Sequence, residues 1–252
     1  MELKDALYNY CLRMGDTSLI LGQRLAEWIS QGPTLEEDIA LTNISLDHIG
    51  QARTIYTYAA EVEGKGRSED DIAYLRSERE YFNFLMAELP NGNFADTMAR
   101  QFLTDVFMYH FYRALVNSKD ERVAAHAAKS LKEVTYHLRH SGEWVVRLGD
   151  GTDESHAKMQ KAIDELWMFT GDLFEMNEVD ETLIEFGIAV NLNEIKPLWD
   201  NTVNEVFKRA TLTRPEDGYM QTGRLDAKHT EYLGHILSDM QYLQRTIPGA
   251  KW

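Results

Sequence analysis

The run LEEDIALTNISLDHIGQARTIYTYAAEV, residues 35–62, holds one glycine and no proline. A chain with few breakers and no two-residue alternation between hairpin turns has little choice but long helices. Glycine and proline number 16 and 5 in 252 residues, and they gather where helices should stop. The stop SQGPT (30–34) precedes this run, with Thr34 as its N-cap and Glu36, Glu37 and Asp38 in the first turn. Its apolar residues, among them Ile39, Ile44, Leu46, Ile49 and Ile55, fall on nearly every side of a helical wheel. That distribution predicts a helix buried all round.

The same reading predicts helices over about 3–29, 35–62, 69–88, 94–117, from the NSKD turn to 148, 155–176, 194–210 and 226–246, with a weaker stretch at 178–192. Four of them reach about 24–30 residues, roughly 36–45 Å. They form two hairpins joined by about thirty residues, long enough for a crossover. The expected fold class is therefore all-α: a ferritin-like four-helix bundle of two long hairpins and a long crossover, with additional C-terminal helices. We expect a single domain over 1–252, its core bundle at about 3–148 and accessory helices at about 155–252.

Charge narrows the function. Twenty-six Lys and Arg against 41 Asp and Glu give −15, a surface that repels nucleic acid and anionic membranes. It suits a protein partner with a complementary basic patch. One cysteine, Cys11, excludes an intrachain disulfide and a cysteine-based zinc or iron–sulfur set. The N-terminus does not read as a signal peptide, and no 18-residue apolar run exists, so a cytoplasmic location is expected. The chain lacks G-x-S-x-G, a glycine-rich phosphate loop and a helpfully spaced Cys–His pair.

Residues equidistant from a hairpin turn lie at one level. Asp16 and Asp47 flank the first turn at 17 and 14 residues from Pro33, and Asp105 and Glu133 flank the second at 13 and 15 from Ser118. One acid at mid-height on each long helix is the carboxylate half of a di-iron pattern, whose other half is Glu-x-x-His on two helices. The histidine half is missing. Gly50 stands three after Asp47, Tyr136 three after Glu133, and the nearest histidine, His137, arrives one place late. An oxygen-activating iron site needs nitrogen donors. We therefore expect Asp16, Asp47, Gly50, Asp105, Glu133 and Tyr136 to mark a degenerate site that binds no metal, with no catalytic residue in this chain.

Plainer roles are open to the same residues. Asp105 lies in a very apolar run and needs a partner, for which His137 is a natural candidate. Asp16 reads equally as a solvated or helix-pairing acid. His126, Glu133, His137 and His140 share a helical face that the wheel sets toward the polar flank, with Trp144 near it. His-x-x-His can chelate, but a contact to another helix or chain fits better. His229 and Glu231 sit at a helix start that Thr230 or Asp226 caps, and read as local structure.

Five stretches carry a resemblance: RMGDTSLILGQRLAEW (13–28), SLDHIGQART (45–54), LPNGNFADTMARQFLTD (89–105), KEVTYHLRHSGEWVVRLGDGTDES (132–155) and KHTEYLGHILSDMQYLQRTIPGAKW (228–252). In order and over essentially the whole chain, they resemble the C-subunit family of bacterial 1,2-phenylacetyl-CoA epoxidases. The resemblance implies a ferritin-like member of a multicomponent monooxygenase in phenylacetate catabolism. It implies a tight pairing with a homologous A subunit, which holds the di-iron centre and binds phenylacetyl-CoA. A small B subunit links the assembly, and a reductase passes electrons from NADPH while the complex uses O2. This chain would be the structural, non-catalytic companion with no cofactor of its own. Two other readings compete: a divergent di-iron oxygenase using Asp16, Asp47, Asp105, Glu133 and His137, and a stand-alone helical binding protein.

Overall fold

A computed structural model describes residues 1–249; the last three residues of the C-terminal stretch quoted above lie outside them. The described residues form helices α1 (Leu3–Ala26), α2 (Leu35–Glu63), α3 (Glu69–Leu75), α4 (Leu85–Glu88), α5 (Phe94–Leu115), α6 (Glu121–Gly149), α7 (Asp153–Trp167), α8 (Glu178–Glu185), α9 (Leu192–Arg209) and α10 (Glu231–Thr246). No strand occurs among the described residues. Two long hairpins, α1–α2 and α5–α6, with a long connection between them give the element order of a ferritin-like bundle. No described helix is long and apolar enough to cross a membrane.

The chain divides into two compact units. The first comprises Met1–Pro90, Asn177–Leu183 and Gly223–Trp252; the second comprises Asn91–Met176 and Ile184–Thr222. In the first unit α1 packs along α2, while α3 and α4 lie against α2, α1 and α10. In the second, α5 packs along α6, and α7 and α9 cover both.

Within the first unit, α1 is the helix buried on all sides. Tyr10 through Gly22 are buried without a gap. Small residues let α2 come close: the Gly22 carbonyl accepts from Ser45 Oγ at 2.8 Å, and Ser18 Oγ reaches Gln51 Oε1 at 3.4 Å. At Gly15 the Tyr56 ring occupies the place a side chain would take, 2.6 Å from an added Cβ to Cδ1.

Helix α2 corrects the expectation of all-round burial. Its inner face carries Leu41, Ile44, Ser45, His48, Gln51, Ala52, Ile55 and Tyr56, but Leu35, Ile39 and Leu46 are 73%, 53% and 60% exposed. Thr34 caps it as expected, accepting from the Glu37 amide at 3.4 Å, and Gly64 ends it in the left-handed region at φ 72°.

The expected helix 69–88 is also wrong. It stops at Leu75, passes through a 3-10 turn (Glu78–Glu80) and extended backbone, and resumes for one turn as α4. Side chain and backbone of this broken stretch are spent on one buried acid, described below. Further on, α7 ends at Trp167 rather than 176, α8 occupies only the first half of 178–192, and α10 begins at Glu231 because 224–226 forms a 3-10 turn.

Gly15→Ala should drive a methyl group into the Tyr56 ring and cost about 1–3 kcal/mol, as overpacking does. A urea unfolding midpoint that does not fall would contradict the tight α1–α2 contact.

Candidate functional site

Asp16, mid-way along α1, is fully buried, not solvated. Its Oδ1 accepts from the Tyr56 hydroxyl at 2.5 Å and from Arg76 Nη2; its Oδ2 accepts from Arg76 Nη1 at 3.1 Å and from the Phe82 amide at 2.8 Å. Both oxygens are thus saturated, largely by a two-pronged guanidinium. Arg76 is itself buried, and donates further from Nε to the Ile72 carbonyl and from Nη1 to the Glu80 carbonyl, both at 2.7 Å. Its guanidinium carbon lies 4.2 Å from the Tyr81 ring centroid and 5.4 Å from that of Tyr56. Burial works against the charge on Arg76, but the Asp16 carboxylate outweighs it and holds the guanidinium's pKa above the ordinary value. Burial, and then the Asp16 charge, push the Tyr56 phenol well up.

This cluster explains the break at 76–84. Arg76 turns inward as the residue after α3, and the chain then runs extended so that the Phe82 amide can point at Asp16. Continued helix would commit that amide to its own backbone.

The remaining expected positions in the first hairpin miss the inner face. Asp47 is half-buried, and the residue turned fully inward is its neighbour His48. A Cβ added to Gly50 meets nothing within 4 Å, so that position opens outward. Counting residues from a turn sets the height of a side chain but not its direction around the helix.

In the second unit Asp105 of α5 is buried and accepts from Ser141 Oγ at 2.7 Å. The same hydroxyl reaches the His137 carbonyl at 3.0 Å. A carboxylate oxygen of Asp105 and a ring nitrogen of His137 lie within 4.8 Å of each other, and both residues are buried. The two residues expected from the sequence to be partners are thus neighbours in space. Burial pushes the Asp105 carboxyl up to about 7, against the opposing pull of His137 and the Ser141 hydrogen bond.

The histidine stripe on α6 is corrected. His126 and His137 are core residues, Glu133 and His140 are half-buried, and Tyr136 is exposed at 42%. Glu133 lies 3.8 Å from Lys129 along its own helix. His126 packs edge-on against Tyr112, with centroids 5.7 Å apart; burial, and then Lys129, depress its pKa to about 4. Outside, Tyr136 stacks on His140, and Trp144 meets Phe94 edge-on at 5.0 Å.

His229 is not a local residue either. Its Nδ1 lies 2.6 Å from Glu88 Oε1 and its Nε2 2.9 Å from the Tyr81 carbonyl. The Thr230 amide and hydroxyl both donate to Glu88 Oε2 at 2.7 Å, and Asn83 Nδ2 donates to Oε1 at 2.9 Å. One buried glutamate so anchors the start of α10 to α4. Arg13 in turn holds Asp180 at 2.7 Å and Asn177 at 2.8 Å.

Taken together, the expected di-iron positions do not fit a carboxylate-bridged pair of irons. Asp16 is saturated by a fixed cation, Asp47 and Glu133 lie off the inner faces, Gly50 has no donor, and Tyr136 is exposed. Asp105 and His137 come together; Asp16 instead joins Tyr56, Arg76 and Phe82. Sequence reading misses Arg76, Tyr56, His48 and Glu88. Nothing local marks Arg76, which stands in the polar run RSERE (76–80) like any surface arginine.

Comparison with known proteins gives a full-length match. A sequence profile described as "Phenylacetic acid catabolic protein" matches residues 1–252. The chain is 48% identical over 248 residues, 98% of its length and 100% of the relative, to an Escherichia coli (strain K12) protein, named as the C subunit of 1,2-phenylacetyl-CoA epoxidase.

Removing one member of the Asp16–Arg76 pair should leave the other buried and uncompensated. Arg76→Ala is expected to lose about 3–5 kcal/mol, whereas the paired change Asp16→Leu with Arg76→Met should recover most of that loss. Denaturant unfolding of both variants checks this. Asp105 makes a second, pH-dependent prediction. Its native pKa lies above its unfolded value, so the stability it contributes is complete below about pH 4 and is lost as pH rises through about 7. Asp105→Asn should therefore gain on the wild type between pH 5 and pH 8 in unfolding free energy. His126, with a depressed pKa, acts in the other sense, costing stability as pH falls from about 6.5 toward 4.

Proposed function

The chain belongs to the phenylacetic acid catabolic protein family, and from that premise we propose that it is a subunit of a phenylacetyl-CoA epoxidase complex, serving as the structural companion of the catalytic chain. In this reading it pairs tightly with a homologous A subunit in the cytoplasm. The di-iron centre, the oxygen chemistry and the phenylacetyl-CoA site belong to that A subunit; a B subunit and an NADPH-linked reductase complete the assembly. The full-length similarity to the C subunit of an epoxidase supports membership of the complex. What supports the non-catalytic role is the Arg76 guanidinium bound to Asp16, a permanent cation on the acid that a metal would need.

The physical role follows from rigidity. A companion chain that holds catalytic helices in register controls rate, because displacements of about 1 Å at a reacting centre are costly. Obligate interfaces of this kind bury more than about 2,000 Å². The chain's own residues in such a role bind and orient a neighbour, and buried networks such as Asp16–Arg76 keep the presented surface fixed.

A second reading, an oxygenase active by itself, draws on one observation, the buried Asp105–His137 pair. Metal analysis separates the two. The purified chain alone should hold no stoichiometric iron and oxidise no aryl-CoA thioester, and adding it should raise the solubility and turnover of the A subunit. Iron near one or two equivalents with oxygen-dependent turnover in the single chain would overturn the structural role. Glu133→Ala should leave the turnover of the assembled complex unchanged, where an oxygenase ligand change would abolish it.

A further inference from the structure

Helix α10 is fastened within the first unit at both of its ends. At its start the buried Glu88 carboxylate accepts on both oxygens: Oε2 takes the Thr230 amide and hydroxyl, each at 2.7 Å, and Oε1 takes Asn83 Nδ2 at 2.9 Å. The His229 ring lies between this carboxylate, 2.6 Å from its Nδ1, and the Tyr81 carbonyl, 2.9 Å from its Nε2. The two side chains are 1% and 0% exposed, so solvent cannot replace a missing partner. A neutral imidazole has one N–H and one lone pair. Between a carboxylate and a carbonyl, either tautomer would turn that lone pair on an acceptor. Two protons on the ring contacts remove the conflict, so the pair holds one proton more than a neutral ring and a carboxylate. An imidazolium on a carboxylate also leaves no net charge in the interior.

At its far end α10 supplies donors to the last carbonyls of α3. Gln241 Nε2 reaches those of Ala73 and Arg76 at 3.3 and 3.0 Å. Arg245 reaches that of Tyr74 from Nε at 3.3 Å, and those of Leu75 and Arg76 from Nη2 at 3.3 and 2.8 Å. A helix leaves its final carbonyls without intrahelical partners, and here a second helix satisfies them. Arg76 is thus gripped through its main chain by α10 while its guanidinium holds Asp16.

We propose that α10 is a proton-locked strap: His229, doubly protonated against Glu88, fastens its start, and the fastened helix holds the Arg76 main chain where its guanidinium neutralises Asp16. Loss of the proton as pH rises turns a lone pair on an acceptor and loosens the strap, so the clasp is closed at low pH and opens at high pH. Other charged groups pack about the same point. Arg24 of α1 holds Glu27 at 2.8 Å and donates to the Glu88 main-chain carbonyl. Arg224 donates to the Phe82 carbonyl at 3.3 Å and lies 4.9 Å from the Phe84 ring centroid, and Lys228 reaches Asp226 at 3.6 Å. Glu231 opens α10, and the Tyr81 phenol, pushed up by burial, donates to the Ala73 carbonyl. Of these side-chain types only histidine ordinarily changes charge between about pH 5 and 8.

Hydrogen exchange of the whole chain, read segment by segment and corrected for the intrinsic rate at each pH, tests the strap. Between about pH 6 and about pH 9, protection in α10 and across Ala73–Phe82 should fall together by about tenfold or more. His229→Gln should show the loosened state at both pH values. His235→Gln, at an exposed position of the same helix, should behave as the wild type. Asp105 and His126 titrate in the second unit, so a readout confined to these segments excludes them. Protection of α10 that does not change with pH overturns the proton lock. Wild-type protection across Ala73–Phe82 while α10 loosens overturns the grip on Arg76. Should His229→Gln fail to fold, ring-nitrogen NMR of the wild type at about pH 6.5 still decides. Two protonated nitrogens on His229, or one with the second proton on Glu88, are expected; a ring with a bare nitrogen beside an ionised Glu88 overturns the proposal.

Discussion

A guanidinium and a carboxylate, both removed from water, fix the first unit. Burying either charge alone costs several kcal/mol, so the structure around Asp16 is arranged to bring Arg76 to it. This one demand accounts for features that otherwise look unrelated. Helix α3 ends after two turns, the next residues run extended, the Phe82 amide points at an acid, and Tyr81 and Tyr56 flank the guanidinium with their rings. The Gln241 amide, reaching the Ala73 and Arg76 carbonyls at 3.3 and 3.0 Å, extends the same network into α10.

The consequence for function is electrostatic. A metal centre bridged by acids requires those acids to be bare on the side that faces the ion. At Asp16 that side is already filled by a cation that cannot lose its proton at any physiological pH. The second unit solves the same problem differently. Asp105 has no guanidinium; burial lifts its carboxyl toward neutrality, with His137 and Ser141 as partial compensation. Two mid-helix acids are thus held in place, one by a fixed counter-charge and one by a raised pKa and a hydroxyl.

Much of the architecture is legible in the sequence. Sparse breakers, the SQGPT stop and the Thr34 cap locate the long helices to within a few residues. The Asp105–His137 pairing is readable too, because an acid in an apolar run needs a partner. What fails is azimuth. The distance of Asp47 and Glu133 from their turns places them at the right height, but the inward residues are their neighbours His48 and Val134. One position along a helix is a rotation of about 100°, enough to exchange an inner face for a flank. The broken stretch at 76–84 is unreadable for another reason. Its local pattern is helical, and the acid that overrides it lies sixty residues away.

Apolar residues on every side of α2 suggest all-round burial, yet the outward ones are exposed. Periodicity reports which faces avoid water, not which chain covers them. Ile49, on the flank between the two faces, turns to α1 and lies against Gly22. Gly50 opens to the outside, so the position three residues after Asp47 could not have carried a ligand into the bundle whatever residue stood there.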